Sequence, residues 1–137
     1  MAMDFKLKDG EEVRTRKCLK ASAVVIESGD LVAISSGLII KAVAGSTKVA
    51  WCPNGGANGE TEVDVTIGND FSLIGTGDAN AAVTDKGIAC DLVVNSTNQQ
   101  VDIGTTSTNV FTVGIGKDSL TAGAATNIEV RIAKPIF

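Results

Sequence analysis

Short apolar runs rich in β-branched residues, separated by turn residues, recur along this chain. Residues 24–44 contain three such runs, interrupted by Ser-Gly-Asp at 28–30 and by Ser-Ser-Gly at 35–37. β-Branched side chains pack well on a pleated surface and crowd the turns of a helix, so the runs predict strands. Glycine reaches positive φ without steric penalty, and Asp and Ser side chains bond to nearby backbone, so the interruptions predict turns. We therefore expect the ordered part of the chain to begin with an antiparallel meander.

The same pattern continues to the end of the chain. In residues 60–67, Val63, Val65 and Ile67 alternate with polar residues, which is typical of a strand buried on one face. Further strands are predicted at 49–52, 71–74, 88–95, 101–103, 110–115 and 128–133, with a polar connection at 96–100. About ten strands separated by roughly 8 to 12 residues predict an all-β fold, either a barrel or a sandwich.

One short helix is predicted, at residues 78–87. Alanines favour it, Asp78 can cap its start and Gly87 can close its end. The remaining connections are turns and loops, since glycine is abundant and only two prolines are present.

Residues 1–20 lack a clean period of 2 or 3.6, apart from a short predicted strand at 5–8. We therefore predict an extended N-terminal arm at 1–20 and a single β-rich domain at 21–137. The arm carries six basic and four acidic side chains, whereas the rest of the chain carries six basic and twelve acidic ones. Its basic residues at 14–17 fit either a solvated segment or an arm that docks on an acidic protein surface. No nucleic-acid partner is expected, because such proteins usually carry a stronger basic patch with aromatic platforms.

The composition fits a folded domain and excludes several kinds of catalytic site. Apolar residues make up 44% and charged residues 20% of the 137 residues, which is ordinary for a folded protein. The chain has no histidine, so His-dependent catalytic triads and His-based zinc sites are excluded. Cys18, Cys52 and Cys90 form no Cys-x-x-Cys pair, which favours buried thiols over a metal site or a disulfide framework. We therefore expect a protein that is not an enzyme, with no cofactor and no metal.

Charged residues interrupt the start of the chain, where a signal peptide would have its apolar segment. Asp4, Lys6 and Lys8 stand there, and no apolar run approaches the roughly 20 residues that a membrane helix needs. The sequence therefore predicts a chain made in the cytoplasm, without a membrane partner.

Three alternative functions stay open. The chain could be a β-sandwich receptor- or carbohydrate-binding module, or a small enzyme with Cys52 or Cys90 as its nucleophile. More remotely, residues 27–32 and 38–42 resemble the half-barrel of biotinyl and lipoyl carrier domains. Those domains carry a modified lysine at an exposed hairpin tip, whereas Lys41 interrupts an apolar strand. We expect Lys41 to pack its stem and direct its amine outward.

A second resemblance covers residues 22–137. The meander at 28–32, with Gly37 and 42–44 after it, contributes to this resemblance. Its other segments are 83–93, 101–103, 110–115 and 128–137. Together they resemble small head proteins of tailed bacteriophages, the decoration or cement proteins that are encoded beside major capsid proteins.

The resemblance implies a β-tulip-like or compact β-barrel body and a flexible N-terminal arm that grips neighbouring subunits. It further implies homotrimers on local three-fold axes of the capsid, or another oligomer. It also implies a structural virion protein that binds the outer capsid surface and cements neighbouring major capsid protein subunits. We predict that the arm becomes ordered on binding and that the C-terminal residues are buried against the body or a neighbour. The predicted contact residues are Phe5, Leu7, Arg14, Arg16, Lys17, Ile136 and Phe137.

Overall fold

The fold of residues 3–137, described by a computed structural model, is all-β, as the sequence pattern predicts. Its only helical element is a single 3-10 turn at Val83–Asp85. The strands are β1 (Lys6–Leu7), β2 (Thr15–Leu19), β3 (Asp30–Ser35), β4 (Leu38–Lys41), β5 (Ala50–Cys52), β6 (Glu62–Thr66), β7 (Leu73–Gly75), β8 (Ala89–Asn95), β9 (Asn98–Asp102), β10 (Phe111–Val113) and β11 (Ile128–Ile132).

The strands form three antiparallel sheets, none of which closes into a barrel. The largest has six strands in the order β1-β7-β11-β10-β8-β9. A two-stranded sheet pairs β2 with β6, and a three-stranded sheet has the order β4-β3-β5. The result is a compact body that resembles a sandwich.

Two apolar cores fill the body, and β3 lies between them. Leu31 of β3 belongs to the first core, which is built mainly on the six-stranded sheet, whereas Val32 belongs to the second. Successive side chains of a strand point to opposite faces, so one strand serves both cores. The second core is formed mainly by side chains of β3, β4, β5 and β6.

The predicted meander is confirmed in part. β3 and β4 form the expected hairpin, with Ser36 at φ 50° and Gly37 at φ 80° in its turn. Residues 24–26 are not a strand, because Ile26 makes only an isolated bridge to Gly56. The third strand of this sheet is instead β5, which pairs with β3 from further along the chain.

The predicted helix at 78–87 is wrong over most of its length. Ala81 is buried and its backbone bonds to a distant segment: its N–H donates to the Ala124 carbonyl at 2.8 Å, and its carbonyl accepts from the Gly123 N–H at 2.7 Å. These long-range bonds override the helix preference of alanine, because tertiary contacts outweigh intrinsic propensity. Only the 3-10 turn remains, with the Asp85 carboxylate accepting from the Ala82 N–H at 2.7 Å.

The predicted polar connection at 96–100 is wrong over most of its length. Only residues 96–97 connect β8 to β9, in a hairpin turn with Ser96 at φ 59°. The residues after them belong to β9, in which Gln99 is buried. The Gln99 side chain accepts a hydrogen bond from the Leu31 N–H at 2.7 Å. It also donates to the carbonyls of Leu31 at 2.8 Å and Ala42 at 3.0 Å. A side-chain amide thus joins β9 to the sheet of β3.

The expectation that residues 1–20 lie apart from the core is corrected by Phe5. This side chain is 0% exposed and its ring centroid lies 5.5 Å from that of Phe111. Gly75 makes room for it, because a Cβ there would overlap the Phe5 ring. The Trp51 Nε1–H donates to the carbonyls of Phe5 at 3.2 Å and Gly29 at 2.9 Å. An aromatic side chain near the start therefore completes the first core.

Candidate interaction surface

The outer edge of β2 is a row of free backbone groups on the surface. β2 pairs with β6 on one side, and the flanking bonds fix which residues face β6: the Ile67 N–H donates to the Arg14 carbonyl and the Lys20 N–H to the Thr61 carbonyl, both at 2.8 Å. Since an antiparallel ladder engages every second residue, Thr15 and Lys17 direct their N–H and C=O groups away from β6. Neither backbone has another partner within residues 3–137.

β4 approaches this edge at one end only. The Ala21 N–H donates to the Ile39 carbonyl at 3.1 Å, and a parallel bridge joins Lys20 to Ile39. Leu19 precedes Lys20 and Leu38 precedes Ile39, and these two leucines are 60% and 37% exposed. The open part of the edge therefore runs from Thr15 to Lys17 and ends beside two exposed leucines.

Two arginines next to the open backbone groups have no carboxylate partner among the described residues. Side chains alternate along β2, so Arg14 and Arg16 share a face with Cys18, which packs against the second core. Lys17 lies on the opposite face, with its Nζ 3.3 Å from Oδ1 of Asp64. Among residues 3–137, no carboxylate lies within 4.0 Å of the charged groups of Arg14 or Arg16.

The C-terminal residue completes this surface. The Arg16 guanidinium carbon lies 5.3 Å from the centroid of the Phe137 ring, which is within the range of a cation–π contact. The Phe137 carbonyl accepts from the Gly68 N–H at 2.9 Å, and Ile136 packs against the second core. The backbone thus fixes the Phe137 ring beside Arg16, where it remains 38% exposed. We define the β2 edge surface as Arg14, Thr15, Arg16, Lys17, Leu19 and Phe137.

The structure separates the predicted contact residues into two groups. Arg14, Arg16, Lys17 and Phe137 belong to the β2 edge surface, with Lys17 on the face opposite the two arginines, and the neighbouring Ile136 packs against the second core. The other two are elsewhere. Phe5 is completely buried and so presents no surface to a partner in this conformation, and Leu7 is half-buried beside the first core.

Sequence reasoning missed Leu19. It is the one large apolar residue of β2 that faces solvent, on the side opposite the second core. Its exposure follows from its position next to Cys18, because neighbouring side chains in a strand point to opposite faces and Cys18 faces the core. The alternation identifies Leu19 only once residues 15–19 are known to form a strand with one buried face.

The cysteine thiols are not placed to act as nucleophiles. Burial, the largest cause in each case, raises the pKa of Cys52 to about 11 and that of Cys90 to about 12. Burial also raises the pKa of Cys18, which is partly exposed. All three thiols are therefore mainly protonated at neutral pH, and a thiol is a much weaker nucleophile than a thiolate.

Lys41 is held by the body rather than presented at a hairpin tip. Its Nζ lies 3.4 Å from Oδ2 of Asp30 and donates to the Thr97 carbonyl at 3.1 Å. The expectation that its amine points outward is wrong, because the Asp30 carboxylate is 1% exposed and attracts it inward. Burial raises the pKa of Asp30, although the Glu27 N–H and Lys41 oppose that shift.

A second exposed group lies at the end of the body where β8 begins and β10 ends. Its aliphatic residues Val83, Ile88 and Ile115 are 62%, 49% and 80% exposed. Ile115 lies beside residues 87–88: a Cβ on Gly87 would lie 3.3 Å from Cγ2 of Ile115, and the Ile88 carbonyl accepts from the Val113 N–H at 3.1 Å. Val83 begins the 3-10 turn that leads into these residues. We call Val83, Ile88 and Ile115 the aliphatic patch.

Residues 3–137 contain neither a cluster of three His, Cys, Asp or Glu side chains suited to a metal nor a helix long and apolar enough to cross a membrane. Comparison of the chain with protein-family models, curated proteins and solved structures found no match.

Proposed function

We propose that this chain is a structural virion protein that binds the outer surface of a tailed-phage capsid and cements neighbouring major capsid protein subunits. The observation that carries the proposal is the β2 edge surface, which combines two arginines without carboxylate partners, an exposed leucine and an exposed aromatic ring. Aromatic and arginine side chains are enriched at protein interfaces. The resemblance of residues 22–137 to decoration proteins supports a capsid as the partner.

A cement protein needs many modest contacts repeated over a shell rather than one strong site. The β2 edge surface is small, so a single contact through it is weak. Occupying many equivalent positions at once raises the overall affinity far above that of one contact. Charges at such a surface favour an acidic region of the capsid and make binding weaker at high salt.

The proposed self-association into a homotrimer has its support in the aliphatic patch. Ile115 is the most exposed of the large apolar side chains in residues 3–137, and contact with another copy would remove it from water. Sedimentation equilibrium tests this part. We expect a species of three times the chain mass of 14.0 kDa, and a monomer at all concentrations would contradict it.

Co-sedimentation with phage heads tests the proposed function. Heads of the phage that encodes the chain, prepared without it, are mixed with wild type or with the double variant Arg14→Glu/Arg16→Glu. We expect the wild type to co-sediment and the variant to bind at least about tenfold more weakly, since both cationic contacts become repulsive. The matched control Lys48→Glu/Lys117→Glu makes the same charge change at exposed positions elsewhere and should bind normally.

Two results would contradict the proposal: no binding of the wild type to heads, or equal binding of the Arg14/Arg16 variant and the wild type. Deleting residues 1–17 is a poorer test than charge reversal. The deletion removes Phe5 from the first core and most of β2 from its sheet, so it changes stability together with binding.

A further inference from the structure

We propose that the partner of the β2 edge surface is an extended acidic segment that joins the sheet as a new strand beside β2. The inference rests on the proposed function for the identity of the partner, which would then be a segment of the capsid subunit. Its own basis is the backbone of β2. Free N–H and C=O groups along an exposed strand edge are a template for another strand.

The geometry sets which residues of β2 would bond to the new strand. Thr15 and Lys17 direct their free N–H and C=O groups outward, so they would form the hydrogen-bonded pairs with an antiparallel partner. Arg14 and Arg16 would then stand at non-hydrogen-bonded pairs, where side chains of opposing strands come closest. Their positions two residues apart call for two partner carboxylates at the same spacing.

Charge favours an acidic strand over a second copy of β2. Pairing β2 with itself would bring cationic side chains on neighbouring strands together, and like charges on paired strands are destabilising. β2 already pairs with one strand that carries acidic residues. That strand, β6, alternates acidic and β-branched residues, and its Asp64 lies near Lys17. An acidic strand on the outer side would give Arg14 and Arg16 the carboxylates that they lack.

A peptide with the sequence of residues 60–67, Glu-Thr-Glu-Val-Asp-Val-Thr-Ile, is a suitable probe because its carboxylates stand two residues apart. Binding of the fluorescein-labelled peptide to the full-length chain is measured by anisotropy. A control peptide has lysine at the three acidic positions. We expect the acidic peptide to bind at least about tenfold more tightly than the lysine peptide, and this preference to shrink as salt is raised.

The variant Thr15→Pro tests strand addition itself. Proline removes the outward N–H without removing a bond to β6, and proline is tolerated where a strand faces solvent. We expect Thr15→Pro to bind the acidic peptide about tenfold more weakly than wild type, while the control Thr15→Ala binds it within about twofold. Amide exchange on the wild type supplies a second readout: added peptide should slow exchange of the Thr15 and Lys17 amides.

Three results would overturn the inference: no binding of the acidic peptide, equal binding of both peptides, or unchanged exchange at Thr15 and Lys17. Equal binding of the peptide to Thr15→Pro and to wild type would indicate that the peptide displaces β6, and this result would also contradict the inference. The peptide assay contains no capsid. Failure to bind heads with a positive peptide result would thus refute the proposed function alone, and the reverse pattern would refute strand addition alone.

Discussion

Replacing the buried Gln99 with glutamate is predicted to make the stability of the chain depend strongly on pH. Gln99 is 1% exposed, and its Nε2 donates to the carbonyls of Leu31 at 2.8 Å and Ala42 at 3.0 Å. In Gln99→Glu an oxygen takes the place of that donor and faces two carbonyl oxygens. Burial and these oxygens both disfavour the carboxylate, so the folded-state pKa of the new side chain rises above the unfolded value of about 4.3.

The sign and size of the effect follow from proton linkage. Between the unfolded and the folded pKa the folded variant binds more protons, so its free energy of unfolding falls as pH rises. The slope is up to about 1.4 kcal/mol per pH unit, and a rise of about 3 units in pKa gives a loss of about 4 kcal/mol once both states are ionised. Below the unfolded pKa this loss disappears, and the neutral acid keeps one donor for one of the two carbonyls.

Urea denaturation from pH 4.5 to 8 measures the effect as the difference between variant and wild type. The control Gln99→Leu leaves the Leu31 N–H and the carbonyls of Leu31 and Ala42 without this partner, for a loss of roughly 3 kcal/mol or more at every pH. If Gln99→Glu differs from wild type by the same amount at pH 5 and pH 8, its side chain is not buried against these carbonyls and the reasoning is refuted.

Three further predictions concern the ends of the chain and its thiols. Phe5→Ala should lower the free energy of unfolding by about 3–5 kcal/mol in urea denaturation. A change below about 0.5 kcal/mol would show that Phe5 does not pack in the core, as expected for a free arm. Ile136→Ala should lower the melting temperature more than Phe137→Ala, because Ile136 packs on the second core and Phe137 stays exposed; the reverse order would contradict that packing. Cys18 should react with Ellman's reagent at pH 8 before Cys52 does, and equal rates for the two thiols would show that Cys52 is accessible.

The sequence predicts a strand reliably where one face is buried and the other faces solvent. Val63 and Val65 alternate with Glu62 and Asp64, and they do form β6 with its apolar face on the second core. Local preference misleads where distant segments decide the conformation. Ala81 stands in a helix-favouring segment but bonds to Ala124.

Polar residues inside the body are equally hidden from a local pattern. Gln99 and its neighbours read as a surface connection, because the residues that its side chain bonds lie 57 and 68 positions away. The sequence predicts an arm around Phe5 for the same reason, because the ring that it packs on, Phe111, is far along the chain. Such contacts follow from the tertiary fold rather than from periodicity.

The candidate site was predictable in its charges but not in its geometry. Arg14, Arg16 and Lys17 stand out in the sequence as a basic cluster. That their strand has one open edge depends on β6, about 47 residues away, pairing with one side only. The contact of Phe137 with Arg16 likewise joins the two ends of the chain.

Amide exchange along β2, compared between the free chain and the chain bound to phage heads, tests the central claim most directly. In the free chain the Thr15 and Lys17 amides should exchange quickly, while the Arg16 and Cys18 amides, which face β6, exchange slowly. On heads, exchange at Thr15 and Lys17 should slow by at least about tenfold, to resemble that of their neighbours. Slow exchange at Thr15 and Lys17 in the free chain, or equally fast exchange on heads, would contradict the account.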